Sequence, residues 1–357
     1  MTVVITHFPS PYQVELFDEI ERQQPGSLKV FYLFRRDSDR GWKEITAAHP
    51  HEYLAANDIA ADTIAQVTTA DFAVFNYYND TRASQLMRAR AAAGRPWCFW
   101  GERPGYRFPW LARLARLGRL AALHGGDQPI WGIGDWAVDA YRKEFGNGRR
   151  YLNLPYYSNL DRFQQSSPVF SREHFTFVFS GALSHRKGVD VLARAYARLA
   201  RESARVRLKV MGEGELGPRL RSLLSTEDRV EWVGFKDWPE LPATYASGHA
   251  LCVPSRHDGW GMVVPEGLAS GLPVIATDQT GAAIDFVRTG RNGWLIPAAD
   301  EEALYLAMRE AAALDVAEWH AMSRNARASV AGHSLAEGAR RFLKGVAEAS
   351  THVRHRR

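Results

Sequence analysis

Short, continuous apolar runs are separated along this chain by longer segments whose apolar residues recur at helical spacing. A short apolar run bounded by turn residues reads as a strand buried on both faces, and its regular alternation with helical segments is the pattern of a helix-covered parallel sheet. In the first half the runs fall at residues 3–7, 29–34, 72–76, 97–100, 130–133 and 151–154. In the second half they fall at 175–180, 207–211, 229–233, 250–254, 274–277 and 293–296, with helices predicted at 189–201, 216–224 and 301–313. Between the two series lies a polar stretch, 161–173, with Gln164, Gln165, Ser166, Ser167 and Pro168 together. The pattern therefore predicts an α/β protein of two Rossmann-like, doubly wound domains, residues 1–160 and 174–332, joined by the linker 161–173. Such domains are expected to face one another across a cleft, with the carboxyl ends of both sheets towards it. Residues 333–357 are expected to form a last helix over 335–349, free to pack back on the first domain, and then a basic tail from His352 to Arg357 without a fold of its own.

The length of 357 residues exceeds what one hydrophobic core usually takes, and 46% hydrophobic with 24% charged residues is the balance of a soluble globular chain. No apolar run approaches the ~20 residues that span a bilayer, and the N-terminal stretch M-T-V-V-I-T-H-F-P-S lacks the basic region and cleavage site of a secretory signal. Cys98 and Cys252 sit in strand-like runs without a C-x-x-C partner, as expected of buried thiols in a cytoplasmic protein. A net charge of +5 suits an anionic ligand or membrane surface and gives no argument for nucleic acid. No cluster has metal-ligand spacing, and no Ser-His-Asp or Cys-His arrangement emerges.

The most informative stretch runs from Asp258 to Gly271, D-G-W-G-M-V-V-P-E-G-L-A-S-G. Gly259 and Gly261 let the backbone turn tightly and approach a ligand. Pro265, which lacks an N–H, is cheapest in a first helical turn and dates the helix start to about Met262. The first amides of that helix are without internal partners, a ready site for phosphate oxygens. Glu266, a turn further in, would be repelled by phosphate and is expected to accept hydrogen bonds from neutral hydroxyls. Phosphate and hydroxyls at one helix end suggest a nucleotide sugar. Upstream, F-V-F-S-G-A-L-S-H-R-K-G leads from a strand into a loop bearing Arg186 and Lys187, two cations that can balance a diphosphate; the alternative is a solvated basic loop. V-E-W-V-G-F ends a strand at Gly234 and Phe235, where a backbone edge could read a flat base. Gly212-Glu213-Gly214-Glu215-Leu216-Gly217 has the form G-x-G-x-x-G, yet its two carboxylates oppose pyrophosphate, so it is read as a structural turn.

Taken together, D-G-W-G-M-V-V-P-E-G-L-A-S-G-L-P-V, T-D-Q-T-G-A-A-I-D-F-V and G-R-N-G-W-L-I-P resemble the retaining glycosyltransferases with the GT-B fold, sequence family four. K-G-V-D-V-L-A-R-A, V-M-G-E-G-E-L and V-E-W-V-G-F fall in the order that family shows, so the resemblance covers residues 174–298. It implies transfer of a sugar from a UDP- or GDP-linked donor to a hydroxyl of a saccharide or lipid-linked saccharide, without metal or other cofactor, in the setting of bacterial surface polysaccharide or lipopolysaccharide synthesis. By position, Glu266 would hold the ribose hydroxyls, Asp258 would face the donor sugar, and Lys187 would pair with the diphosphate. Gly259, Trp260, Gly261, Met262, Val263 and Gly181 would line the donor site through their backbone, with Gly234 and Phe235 at the base. The first acid of the family pattern is usually Glu and is Asp258 here; its frequent Arg after the strand is Ala182, and Arg186 is expected to supply that cation. A small soluble acceptor, or an epimerase or phosphorylase on the same scaffold, are the alternatives.

For the acceptor side, P-W-C-F-W-G-E-R-P-G puts Glu102 and Arg103 past a strand's carboxyl end. Glu102 could orient or deprotonate an acceptor hydroxyl, or it could pair with Arg103 or Arg107 to fix the loop. His7 is a second candidate there; His7, His124 and His257 otherwise read as packing residues. Residues 107–123, from Arg107 to Leu123, read as one helix with leucines at 111, 114, 117 and 120 and arginines at 113, 116 and 119. A basic amphipathic helix can lie on an anionic membrane surface, and an ordinary helix with leucines inward and arginines solvated is the alternative. The location that follows is cytoplasmic, peripheral at the inner face of the plasma membrane.

Overall fold

A computed structural model describes residues 1–36, 45–56, 58–105, 109–165 and 167–354, with backbone alone for 109–112 and 351–354. The chain forms two compact units, Met1–Asn159 with His333–Arg357, and Leu160–Gly332.

The first unit holds a parallel sheet of β1 (Thr2–Thr6), β2 (Leu28–Tyr32), β3 (His51–Tyr53), β4 (Phe72–Phe75), β5 (Trp97–Gly101), β6 (Ile130–Gly132) and β7 (Tyr151–Asn153), in the order β3-β2-β1-β4-β5-β6-β7. Its helices are α1 (Pro11–Gln23), α2 (Ala61–Thr69), α3 (Thr81–Ala92), α4 (Pro109–Arg119), α5 (Ala121–His124) and α6 (Asp135–Phe145). The second unit's parallel sheet has β8 (Phe175–Ser180), β9 (Val206–Met211), β10 (Val230–Gly234), β11 (Ala250–Val253), β12 (Val274–Thr277) and β13 (Gly293–Ile296), in the order β10-β9-β8-β11-β12-β13. Its helices are α7 (Asp161–Gln164), α8 (Val189–Glu202), α9 (Gly217–Leu223), α10 (Leu241–Ala246), α11 (Val263–Ser270), α12 (Gly281–Phe286), α13 (Glu301–Ala313) and α14 (Val316–Ser329). Both sheets are thus doubly wound. The order reverses at β1/β4 in one and β8/β11 in the other, and a reversal opens a crevice beyond the strands' carboxyl ends where ligands bind.

Continuous burial explains why the apolar runs become strands: β1, β5 and β11 are buried at every position, so both faces need apolar side chains. Each predicted run overlaps a strand. The strand that the pattern misses is β3, His-Glu-Tyr at the sheet edge, where one side of the ladder is open and no apolar run is required.

Three segments differ from expectation. The stretch expected to be a polar linker opens with the helical turn α7, whose Phe163 is fully buried and stacks on Tyr245 at 5.5 Å, so this part is packed structure of the second unit. The terminal helix α15 (Leu335–Arg354) runs beyond residue 349 and takes in His352 and Arg354; the last residues of the expected tail, 355–357, lie outside the described residues. Alpha15 lies along α1, with Phe342 edge-on to Trp131 at 5.5 Å. The single helix expected over 107–123 is broken at Leu120, which lies between α4 and α5; Arg107 and Phe108 lie outside the described residues. Arg116 turns inward and grips the buried Glu144 at 2.9 Å, alongside the buried Leu120 and Leu123. Positions three or four apart share a helix face: Arg116 shares the inward face with Leu120, and Leu114 and Leu117 face out together, 58% and 44% exposed. Among the described residues no helix is long and apolar enough to cross a membrane.

Candidate functional site

Two loops build the site at the carboxyl ends of β8 and β11. The first leaves β8 through Gly181 and forms a 3-10 turn, His185–Lys187, before α8. Gly188, at φ 67°, closes this turn, and a Cβ there would lie 1.9 Å from the Pro254 carbonyl oxygen. Only glycine allows the two loops to touch in this way. They are tied further by the Arg256 amide donating to the Arg186 carbonyl at 2.8 Å and by the Arg256 guanidinium donating to Asp190 at 2.6 and 2.8 Å.

The loop after β11 carries Asp258. Its amide donates to Gln279 O at 2.8 Å and its carbonyl accepts from Gly281 N at 3.2 Å, which anchors the loop to the start of α12. Gly261 has φ 87°, and a Cβ there would meet Thr280 Cγ2 at 2.7 Å. Gly259, expected to share this role, is not among the positive-φ glycines, so the turn rests on Gly261. The helix that follows, α11, starts at Val263 with Met262 as its cap and Pro265 in the first turn. Trp260 contributes backbone to the loop and packs its ring edge-on to Phe286 at 5.9 Å.

The structure brings Arg186, Lys187 and Asp258 together. Lys187 Nζ donates to Asp258 Oδ2 at 2.5 Å, while Arg186 Nη1 lies 3.8 Å from Oδ1 and donates to the His257 carbonyl at 3.1 Å. The carboxylate is expected at the sugar and the cations at phosphate; in the structure one carboxylate lies between both cations. The cluster carries a net positive charge beside the N-terminus of α11, an electrostatic setting for an oxyanion.

Glu266 lies one turn into α11. This residue, expected to accept hydrogen bonds from neutral hydroxyls, is only 1% exposed, covered by α10 and α7. Its Oε2 accepts from the Tyr245 hydroxyl at 3.1 Å, and its Oε1 has no hydrogen-bond partner. Burial pushes the carboxyl up to about 8, opposed by the Tyr245 hydrogen bond and by the charges of Arg162 and Lys187. An acceptor this deep with unused capacity is costly in a folded chain unless something supplies a donor. Tyr245, Arg162 and Phe163 were not anticipated. They sit on short helices without a distinctive motif, and only the fold brings them to Glu266.

Gly234 ends β10 at φ 76°, and its carbonyl accepts from the Gly212 amide at 2.8 Å; the next residue, Phe235, is 41% exposed. The Gly212–Gly217 turn is a packing device: a Cβ at Gly212 would lie 2.0 Å from Gly181 O, and one at Gly214 2.7 Å from Leu183 O. Its glycines serve the contact between neighbouring loops.

Glu102 belongs to the first unit, exposed after β5, with its carbonyl accepting from the Tyr141 hydroxyl at 2.7 Å. Arg103 lies over the Trp136 ring at 3.4 Å. His7 stacks on Tyr77 at 4.2 Å, and His124 on Phe145 at 4.4 Å. Among the described residues no three His, Cys, Asp or Glu side chains gather as a metal site.

Residues 174–313 match the family described as glycosyl transferases group 1. Over 158 residues the chain is 29% identical to WcaL of Salmonella typhimurium, a glycosyltransferase named for colanic acid biosynthesis, covering 42% of this chain and 39% of that protein. Over 124 residues it is 36% identical to a GDP-mannose-dependent alpha-mannosyltransferase of Mycobacterium tuberculosis, covering 35% and 30% of the two chains. The chain thus matches well under half the length of these relatives. Among solved structures, Anabaena HepE in complex with UDP superposes with a TM-score of 0.79 at 15% identity, over 97% of this chain and 99% of that one. The same protein with UDP-glucose gives 0.76. The fold is that of the two-domain GT-B proteins.

Proposed function

We propose that this chain, whose residues 174–313 match the family described as glycosyl transferases group 1, is a retaining glycosyltransferase that moves a sugar from a nucleotide-diphosphate-sugar to a hydroxyl of a saccharide or lipid-linked saccharide. The observation that carries this reading is the Arg186–Lys187–Asp258 cluster at the β8/β11 reversal, beside the N-terminus of α11 and one turn from Glu266. Lys187, Arg186 and the first-turn amides around Gly261, Met262 and Val263 would hold the diphosphate; Asp258 would turn to the sugar hydroxyls, and Glu266 Oε1 would accept from the ribose. Gly181, Gly234 and Phe235 would border the sugar and base ends.

In the transfer, the bond from the anomeric carbon to the phosphate oxygen breaks and its electron pair stays on the diphosphate. The acceptor hydroxyl attacks from the same face, and its proton passes to that departing phosphate oxygen. Positive charge that strengthens against the leaving oxyanion lowers the barrier, and removing one such group from a preorganised site costs ~10²–10³-fold. Two fixed cations supply that charge, so no metal is assigned, and Glu102 is the carboxylate assigned to orient the acceptor.

Support for a nucleotide-sugar donor comes from the HepE complexes with UDP and UDP-glucose. Support for a polysaccharide setting comes from WcaL. The outward Leu114 and Leu117, with Arg113 exposed beside them, favour an anionic membrane surface met from the cytoplasm. The test is a thermal-shift panel of UDP- and GDP-sugars, in which a donor at a hundred times its Kd adds ~2.7 kcal/mol. Turnover with the donor so found, with and without chelator, and product anomeric configuration by NMR complete it. Donor consumed with no acceptor present, inversion at the anomeric carbon, or loss of turnover in chelator would each overturn the corresponding part.

A further inference from the structure

The glycines of the Gly212–Gly217 turn serve packing, but that leaves its first carboxylate, Glu213, without a task. The second sheet runs in the order β10-β9-β8-β11, so the loops after β11, β8, β9 and β10 follow one another along its carboxyl edge, about 4.8 Å per strand. Asp258, Arg186 and Lys187 occupy the first two of these loops. Glu213 occupies the third, and Gly234 with Phe235 the fourth. The Glu213 backbone is pinned on both sides: the preceding Gly212 amide donates to Gly234 O at 2.8 Å, and Glu213 O accepts from the Leu183 amide at 2.8 Å. The side chain turns across to the end of β10, where a Cβ at Gly234 would lie 3.7 Å from Glu213 Oε1. Among the described residues, chain neighbours aside, no other atom comes within 4 Å of that point, so the space beside the carboxylate is open. Lys209 of β9 pairs with Glu231 at 3.0 Å and Lys236 with Glu240 at 3.0 Å, so these neighbouring cations serve other carboxylates. An exposed ring, Phe235, stands at the same edge.

We propose that Glu213 selects the base of the donor, accepting from N1–H and the 2-amino group of guanine, which makes the donor a GDP-sugar. This rests on the nucleotide-sugar reading above and narrows it. A carboxylate offers acceptors alone. Guanine sets two donors, N1–H and the 2-amino group, side by side on one edge, a match for two carboxylate oxygens and a charge-assisted pair of bonds. Uracil sets a single donor, N3–H, between two carbonyl oxygens that a carboxylate repels. Adenine and cytosine each place an amino donor beside a ring-nitrogen acceptor, so one carboxylate oxygen meets a lone pair. The same charge repels diphosphate. It therefore favours the one orientation in which the phosphates lie at Arg186 and Lys187 and the base lies at the ends of β9 and β10.

The experiment is calorimetric titration with GDP, UDP and inosine diphosphate, which keeps N1–H and lacks the 2-amino group, in the full chain and in Glu213→Ala and Glu213→Gln. The side chain is exposed, and melting curves check that both variants keep the fold. The parent is expected to bind GDP roughly five- to a hundredfold more tightly than UDP, the range that one bidentate base contact is worth, and several-fold more tightly than inosine diphosphate. In Glu213→Ala the difference between GDP and inosine diphosphate disappears, and UDP binds as in the parent or more tightly. Glu213→Gln falls between the two for GDP and gains for UDP, because its amide N–H can donate to a uracil carbonyl. Equal or tighter binding of UDP in the parent, GDP binding unchanged in Glu213→Ala, or a loss there that is the same for all three ligands refutes the base contact while nucleotide binding itself stands. If none of the three binds the parent, the reading of a UDP- or GDP-sugar donor falls and takes this proposal with it.

Discussion

Replacing Glu266 by Gln should make the chain more stable at alkaline pH, the reverse of what loss of a hydrogen-bonded core carboxylate usually does. Burial raises this carboxyl from an ordinary 4.5 to about 8 in the folded chain. The folded state therefore binds the proton more tightly than the unfolded state. The stability that this one group contributes is fully present below about pH 4.5, is lost as the pH rises towards 8, and is level above it. The span of roughly 3.5 pH units corresponds to on the order of 5 kcal/mol at ~1.36 kcal/mol per unit, and between pH 5 and 8.5 about 4 kcal/mol of it is lost. Gln has the same shape and does not titrate. Its buried amide lacks a partner where Oε1 lacks one now, at a cost of ~1–3 kcal/mol that is the same at every pH.

The signal is accordingly the change with pH in the difference between the two proteins. For a unit the size of Leu160–Gly332, 1 kcal/mol moves Tm by ~2–4 °C. The Tm of Glu266→Gln minus that of the parent should thus rise by on the order of 10 °C from pH 5 to 8.5 in nucleotide-free buffer. Melting both proteins at half-unit intervals, by circular dichroism, measures it. Parallel curves would show that Glu266 does not hold its proton. A variant that falls behind at high pH would show that Arg162 and Lys187 hold the carboxylate charged, and the reasoning from burial would be wrong.

Lys187→Ala should lower donor turnover by ~10²–10³-fold with the fold intact, and turnover within threefold of the parent would remove Lys187 from the diphosphate. Gly188→Ala should cost several kcal/mol, since it combines φ 67° with a Cβ 1.9 Å from Pro254 O; an unchanged Tm would refute that contact. On α4, adjacent positions should behave oppositely. Leu114→Glu with Leu117→Glu should leave Tm nearly unchanged and abolish flotation with anionic vesicles at low salt, and undiminished flotation would end the membrane assignment. Arg116→Ala should destabilise by ~3–5 kcal/mol, because it strands the buried Glu144; a Tm matching the parent would mean that the pair is solvated.

What the sequence revealed and what it hid follow from the range of the forces involved. Strands such as Phe175–Ser180 and Val274–Thr277 were readable because a strand buried on both faces must be apolar throughout, a constraint written in adjacent residues. His51–Tyr53 was hidden because an edge strand needs only a backbone partner, which β2 supplies. The Asp258–Gly261 turn showed itself through glycine, whose φ at position 261 no other residue adopts cheaply. Gly259, next door, carries the same letter without that geometry, so a glycine count overstates a turn. Arg116 misled for the opposite reason. Helical periodicity sorts leucines inward and arginines outward, but it has no knowledge of Glu144, 28 positions away, whose buried charge reverses the face. Glu266 is the same lesson at the site. Its motif marks the residue, while its charge state is set first by burial under short helices that carry no motif, with Tyr245, Arg162 and Lys187 opposing. The chemistry of the site is therefore divided: local sequence fixes which groups are present, and long-range packing fixes whether each is ionised and where it points. Substitutions that open the packing over Glu266, such as Tyr245→Phe at its one hydrogen bond, should alter the pH response of the site, whereas those at Asp258 and Lys187 should alter whether it works.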